Sequence, residues 1–255
     1  NSGLGMVVGA PLGVCVNCAA PIARGIHSGG AAVETTLGAM ISSPTLNVIV
    51  LTILFSLFPL YIVGLKLVLT IGFILVGIPL IARFFGKDVQ VPADDASCPL
   101  PFAVAGEAPA GESWLGAGRW LLTNYAKNLW FIFKRTVPLM FVAGFLGALL
   151  VTLVPWDALT DIVPGGGKMI VLAGMTIVAL VGITLPVPIA FDVIVSAILL
   201  AGGMPMRYVM VLLFTLGIYS IYSFFIVWNG VSKRIAVALY FALAGLGVVA
   251  GVVAD

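Results

Sequence analysis

Long apolar runs, cut at intervals by glycine and proline, dominate the chain and do not alternate with period two. Residues 3 to 86 are almost entirely apolar, but Gly9, Pro11, Gly13, Pro21, Gly25, Gly29, Gly30 and Pro44 divide them into short pieces. The pattern predicts a helix end to about Gly13, a short helix from about Val16 to Ser28, a longer one from about Ala32 to Ile53 and a fourth from about Pro59 to Phe84. Several later runs reach the roughly 20 helical residues that cross a bilayer core. Backbone polar groups in lipid must be satisfied within helices or closed barrels, and continuous runs select helices.

Residues 87 to 116 break the pattern, with Lys87, Asp88, Asp94, Asp95, Glu107 and Glu112 among proline, alanine and glycine, the composition of a solvated linker. From Trp114 to Arg135 aromatic residues mix with Arg119, Lys127, Lys134 and Arg135, which predicts a membrane-surface helix. Spans are then expected from Val137 to Val154, Lys168 to about Leu185, Pro188 to Gly202, Pro205 to Val227 and Ser232 to Val253, with a mildly acidic loop from Pro155 to Gly167. The expected fold is an all-α polytopic transmembrane bundle of two inverted repeats with broken or re-entrant helices. Its parts are a first repeat over 1–86 lacking its N-terminal portion, a cytoplasmic linker over 87–116, and an interfacial helix with the second repeat over 117–255.

Composition settles the class. Of 255 residues, 62% are hydrophobic and 9% charged, with a mean hydropathy of +1.22, far above soluble ranges. A net charge of +2 without a dense cationic patch argues against nucleic acid. Three cysteines, Cys15, Cys18 and Cys98, make neither an even disulfide framework nor a four-ligand zinc site, so no metal site is expected. With His27 the single histidine, a bis-imidazole haem is disfavoured and no cofactor is expected.

Sliding the halves against each other by 173 positions places Gly9 on Gly182, Gly29 on Gly202, Gly30 on Gly203 and Asn47 on Ser220. Each half then reads as a Gly/Pro break, a short helix, a Gly-Gly turn, a long helix with hydroxyl or amide groups, and a final span. Basic residues near span ends stay cytoplasmic. Arg83, Lys87, Arg119, Lys127, Lys134 and Arg135 therefore put the linker on that side, with Lys233 and Arg234, while Lys66 and Lys168 fall outside. Each half makes an odd number of passes, so the halves are inverted, as in many secondary transporters. By the same count about one and a half helices precede Asn1, the first residue of a chain that begins without Met.

Ionisable groups inside spans cost about 2.5–3.5 kcal/mol on insertion scales and face protein or water. Asp192 follows Pro186 and Pro188, with Ser196 one turn on. It reads either as a cation- or proton-coupled site or as a carboxylate satisfied by free N–H groups at a helix start. In the first half Asn17, Pro21, Arg24 and Ser28 make one polar stripe, and Arg24 and His27 are expected to reach the cytoplasmic surface. Thr36, Ser43 and Asn47 share a stripe beside Pro44, and Thr215, Tyr219 and Tyr222 another; each residue taken singly suits helix packing as well as solute contact. Cys15-Val16-Asn17-Cys18 sits at the first break, either as a soft-ligand or redox pair or as two small buried residues.

The order Gly9-Ala10-Pro11-Leu12-Gly13-Val14-Cys15, then Pro21, Gly25 and Gly29, then Ser43-Pro44-Thr45-Leu46-Asn47 resembles the predicted-permease family that includes the trivalent organoarsenical efflux permeases. Where that family carries Cys-x-Cys-Gly, Cys15 matches the first thiol, Asn17 replaces the second, and Cys18 takes the glycine position. The resemblance implies a two-repeat permease of a bacterial inner membrane for a metalloid or other small ion, and no nucleophile, base and orienting group stand at usable spacing, so no enzyme is expected. The expected pathway comprises Cys15, Asn17, Cys18, Pro21, Ser43, Pro44, Asn47, Asp192, Ser196 and Ser220. Its expected partners are the lipid bilayer, a small-molecule or ion substrate, and a second copy or partner subunits. A non-transporting, permease-like subunit of a larger complex is the competing reading.

Overall fold

The computed structural model describes residues 1–86 and 168–255, with scattered positions between 122 and 145. The linker, the interfacial helix, the span expected from Val137 to Val154 and the loop before Gly167 lie outside the described residues, apart from those positions. The chain divides into two units, Asn1–Val91 with Leu149–Asp255 and Pro92–Ala148. Every element below belongs to the first.

Among the described residues the structure is all-helical. In order come α1 (Ser2–Gly9, continued as a 3-10 turn to Leu12), α2 (Val16–Ser28), α3 (Val33–Thr45), α4 (Val48–Leu57), α5 (Leu60–Gly72), a π-helical turn (Phe73–Gly77) and α6 (Ile78–Phe85). Beyond the linker follow α7 (Lys168–Thr184), α8 (Phe191–Ala201), α9 (Met206–Thr215), α10 (Ile221–Gly230) and α11 (Lys233–Val253).

Among the described residues two helices are long and apolar enough to cross a membrane: Leu60–Phe85, of 26 residues, and Lys233–Val253, of 21. At 1.5 Å per residue they extend about 39 and 32 Å, against a hydrocarbon core of about 30 Å. The first stays continuous through Pro79, which lacks the N–H that an α-helical ladder would need. The π-helical turn just before it absorbs that defect, its last bond running from the Ile78 N–H to the Phe73 carbonyl.

Two expected continuous helices are broken. The one read from Ala32 to Ile53 is α3 and α4, bent by 44° at Leu46–Asn47. The one read from Pro205 to Val227 is α9 and α10, parted by an unwound segment at Leu216–Ser220 in which Gly217 has φ +91°. The stripe drawn through Thr215, Tyr219 and Tyr222 is thereby cut, because Tyr219 lies in the unwound segment. Continuous hydropathy is blind to such breaks; the local chemistry of caps and turns makes them.

Close packing relies on small residues. A Cβ on Gly5 or Gly9 of α1 would strike the α3 backbone, and one on Gly38 of α3 would strike the α1 backbone. Gly182 of α7 and Gly247 of α11 both press on Thr215 of α9. Such approaches supply the van der Waals contact that drives helix association in lipid. Buried Leu37, Met40, Ile41, Val209, Leu213, Phe214, Leu239 and Leu243 fill the interior, while Val48, Leu60, Val68, Phe84, Met169 and Phe241 are exposed. An apolar interior under an apolar surface is what a lipid-facing bundle requires.

Candidate functional site

Four half-helices begin beside the breaks, and local chemistry places each start. Gly13 takes the left-handed region (φ +57°), which turns the chain from the 3-10 turn into Val14 and Cys15 before α2 begins. Ser43 of α3 holds that segment: its hydroxyl accepts from the Val14 N–H at 3.3 Å and donates to the Val14 carbonyl at 3.4 Å. Neither group of Val14 has an intrahelical partner, and one serine serves both.

Asn47 ties the first broken helix together. Its Oδ1 accepts from the Val50 N–H at 2.9 Å, capping α4, and its Nδ2 donates to the Ser43 carbonyl at 2.9 Å in the last turn of α3. Pro44 lies between, removing one backbone donor from α3. In the second broken helix Ser220 caps α10 by accepting from the Ser223 N–H at 3.2 Å.

Helices α2 and α10 lie side by side and parallel, since Val16 and Asn17 meet Ser220 and Ser223 while Arg24 packs on Gly230. The Ser220 hydroxyl donates to Asn17 Oδ1 at 2.7 Å, and the Ser223 hydroxyl donates to the Val16 carbonyl at 3.3 Å. These bonds join residues more than 200 positions apart. At the same level Cys15, the residue that precedes α2, and Cys18 in its first turn are both half-buried free thiols, with Sγ atoms 3.2 Å apart. Pro21, one turn further, removes the donor that would have met the Asn17 carbonyl.

Asp192 lies in the first turn of α8, and its Oδ2 takes a 2.7 Å ion pair from Lys66 Nζ on α5, with side chains 3% (Lys66) and 10% (Asp192) exposed. Lys66 is therefore an interior residue. Its ammonium could not remain buried without this partner. The Asp192 carboxylate lies against Gly217, since a Cβ placed there would sit 3.5 Å from Asp192 Cγ. Ser196, one turn beyond Asp192, and Thr70, one turn beyond Lys66, both carry buried hydroxyls without a partner among the described residues.

The sequence-predicted residues thus fall in two places. Cys15, Asn17, Cys18, Pro21, Ser43 and Ser220 gather around the paired starts of α2 and α10, with Pro44 and Asn47 at the adjoining α3–α4 break. Asp192 and Ser196 lie on α8 beside the other break. Arg24 and His27, both expected to reach the surface, part company. Arg24 is half-buried over Gly230, while His27 is buried, its Nδ1 3.1 Å from the Ala31 carbonyl. Residue-by-residue reading did not nominate Lys66 or Ser223. Lys66 had a signal, being a cation isolated within thirteen otherwise uncharged residues of α5. Among the described residues no three histidine, cysteine or carboxylate side chains converge as a metal site would require.

A family model described as a predicted permease matches residues 2–255, essentially the whole chain. No curated protein and no solved structure matches it.

Proposed function

The chain belongs to the predicted permease family, and from that premise we propose that it is a multi-pass secondary permease of a bacterial inner membrane. It moves a small, thiol-reactive solute past the meeting point of α2 and α10. The observation that carries this reading is the junction itself: the Asn17–Ser220 bond with two free thiols beside it. A pair of thiols suits a trivalent metalloid that already carries one organic group and needs two sulfur ligands. It does not suit a metal ion that demands four. Movement of such a solute needs ligand exchange between thiols and no enzymatic step.

Inverted halves are supported by positions that match at an offset of 173. The starts of α3 and α9, of α4 and α10, and of α5 and α11 all coincide under it. So do the positive-φ residues Gly30 and Gly203, the caps Asn47 and Ser220, and the contacts of Gly9 with Ser42 and of Gly182 with Thr215. Placing the linker in the cytoplasm is supported by charge. Phe85, Lys233 and Arg234 line one cavity of about 380 Å³, and Arg24 lies over Gly230 near it. The other end of α11 brings Asp255 to Arg207 at 3.3 Å. Cations gather at the linker end, as they do on the cytoplasmic side of membranes.

The test is uptake of trivalent methylarsenite by proteoliposomes holding the full-length protein. Wild type is expected to move it, and Cys15→Ser with Cys18→Ser to lose that movement while retaining the fold. Absence of wild-type flux, together with a stoichiometric partner on purification in mild detergent, would favour a non-transporting subunit instead.

A further inference from the structure

The Lys66–Asp192 pair asks for more than bracing. Apolar residues of similar volume hold helices together at least as well as a buried ion pair, whose Coulomb gain is largely offset by desolvation. In a chain with 9% charged residues, a cation and an anion have nonetheless been buried against each other. They join the long span containing α5 to a short half-helix across 126 positions. The carboxylate also lies beside Gly217, the left-handed residue of the α9–α10 break, where a Cβ would come into contact with it.

We propose that Asp192 is a proton-binding site that couples this permease to the proton gradient, with Lys66 as its built-in counter-cation. A proton from the aqueous phase adds to Asp192 Oδ2 and gives the neutral acid. Lys66 keeps its charge, leaves the carboxyl group and swings out toward the start of α5, six residues before it, where its ammonium meets water. Release of the proton to the opposite side restores the pair. Because Asp192 lies beside Gly217, the exchange is placed to act on the unwound segment Leu216–Ser220, and through Ser220 on Asn17.

The surroundings leave Asp192 as the acid to titrate. Among the described residues, α4 and the rest of α8 carry no ionisable group; α9 carries Arg207, paired with Asp255, and the buried Tyr208. The break contributes Tyr219, while α5 adds Tyr61, and α11, packed on α5, carries Lys233, Arg234 and Tyr240. Apart from Asp255, which Arg207 holds at the end of α11, none of these is a carboxylic acid or an imidazole.

The proposal rests on the permease reading, so its test separates the two. Full-length protein in lipid nanodiscs is titrated by infrared difference spectroscopy. A carboxylic-acid carbonyl band is expected to grow in as pH falls, and to be missing from Asp192→Asn and from the double variant Lys66→Met/Asp192→Leu. The double variant guards against misfolding, since both charges leave together. In proteoliposomes, methylarsenite flux of the wild type is expected to fall about tenfold per pH unit above the band's midpoint, as a one-proton requirement dictates, and the double variant to lose this dependence. Absence of the band overturns the proton site. So does a double variant whose flux keeps the wild-type dependence on pH. If the band titrates as expected and wild-type vesicles move no methylarsenite, the proton site stands and the proposed substrate falls.

Discussion

Substituting Asn47 probes how the first break is held. Its side chain is 2% exposed and makes two bonds, one to each half of the broken helix. Asn47→Ala strands the Val50 N–H and the Ser43 carbonyl. A buried donor or acceptor left unpaired costs about 1–3 kcal/mol, loss of an N-cap about 0.5–2, and a polar contact between membrane helices averages about 0.6. With the lost cap counted as the stranded Val50 donor, at about 0.5–2 kcal/mol, and the stranded Ser43 carbonyl at about 1–3, the alanine variant lies about 1.5–5 kcal/mol below wild type. Asn47→Ser keeps a cap acceptor, as Ser220 does at the second break, but is too short to reach the Ser43 carbonyl, so it should recover about half of that loss. Equilibrium unfolding in mixed micelles, followed by far-ultraviolet circular dichroism, ranks the three proteins. Equal stability of the alanine and serine variants, or both within about 0.5 kcal/mol of wild type, would refute the capping account. Flux then divides structure from pathway: a serine variant that regains stability without transport assigns the amide to the solute's route.

Three further outcomes follow from the same geometry. Gly9→Leu drives a side chain into the α3 backbone and should cost about 1–3 kcal/mol or more, whereas Gly64→Leu enters open space and should be neutral or slightly stabilising; thermal melts of the two variants check this. Single cysteines placed at Phe85 and at Asp255, in a background where Cys15, Cys18 and Cys98 are serine, should label from opposite sides of intact vesicles with an impermeant maleimide; labelling from one side for both would overturn the proposed topology. Ser43→Ala removes both anchors of Val14 and should raise the maleimide reactivity of Cys15 several-fold, while Thr52→Ala, whose exposed hydroxyl bonds only its own helix, should leave it unchanged.

Features that depend on local chemistry were legible before any coordinates. Gly29-Gly30 and Gly202-Gly203 end α2 and α8, with φ near +90° at the second glycine of each pair, because a left-handed turn favours glycine. The starts of α5 and α11 follow directly from Pro59 and Ser232. What hydropathy could not supply was continuity. Both broken helices read as unbroken apolar runs, since their ends are satisfied by side chains that hydropathy scores as minor interruptions. Asn47 and Ser220 fell under the same offset, yet their common role as caps emerged only when the backbone around each was known. The Asn17–Ser220 bond is a tertiary fact of the same kind: each residue was a candidate, and nothing in either neighbourhood announced the other.

Lys66 teaches the reverse lesson, because its signal was present and was read by position alone. Lying six residues after the start of its helix, it fitted a cation near an aqueous face. Insertion energetics favour another reading: a lysine without acidic neighbours in sequence, inside a helix this apolar, either snorkels or finds a carboxylate elsewhere. The interior offered Asp192, itself short of a partner in sequence. Two isolated opposite charges in apolar helices of one membrane chain are therefore evidence about each other, even when more than a hundred residues separate them. Pairing them also removes the need to ask each helix to bear its charge alone, and it leaves one neutral unit whose two states differ by a single proton.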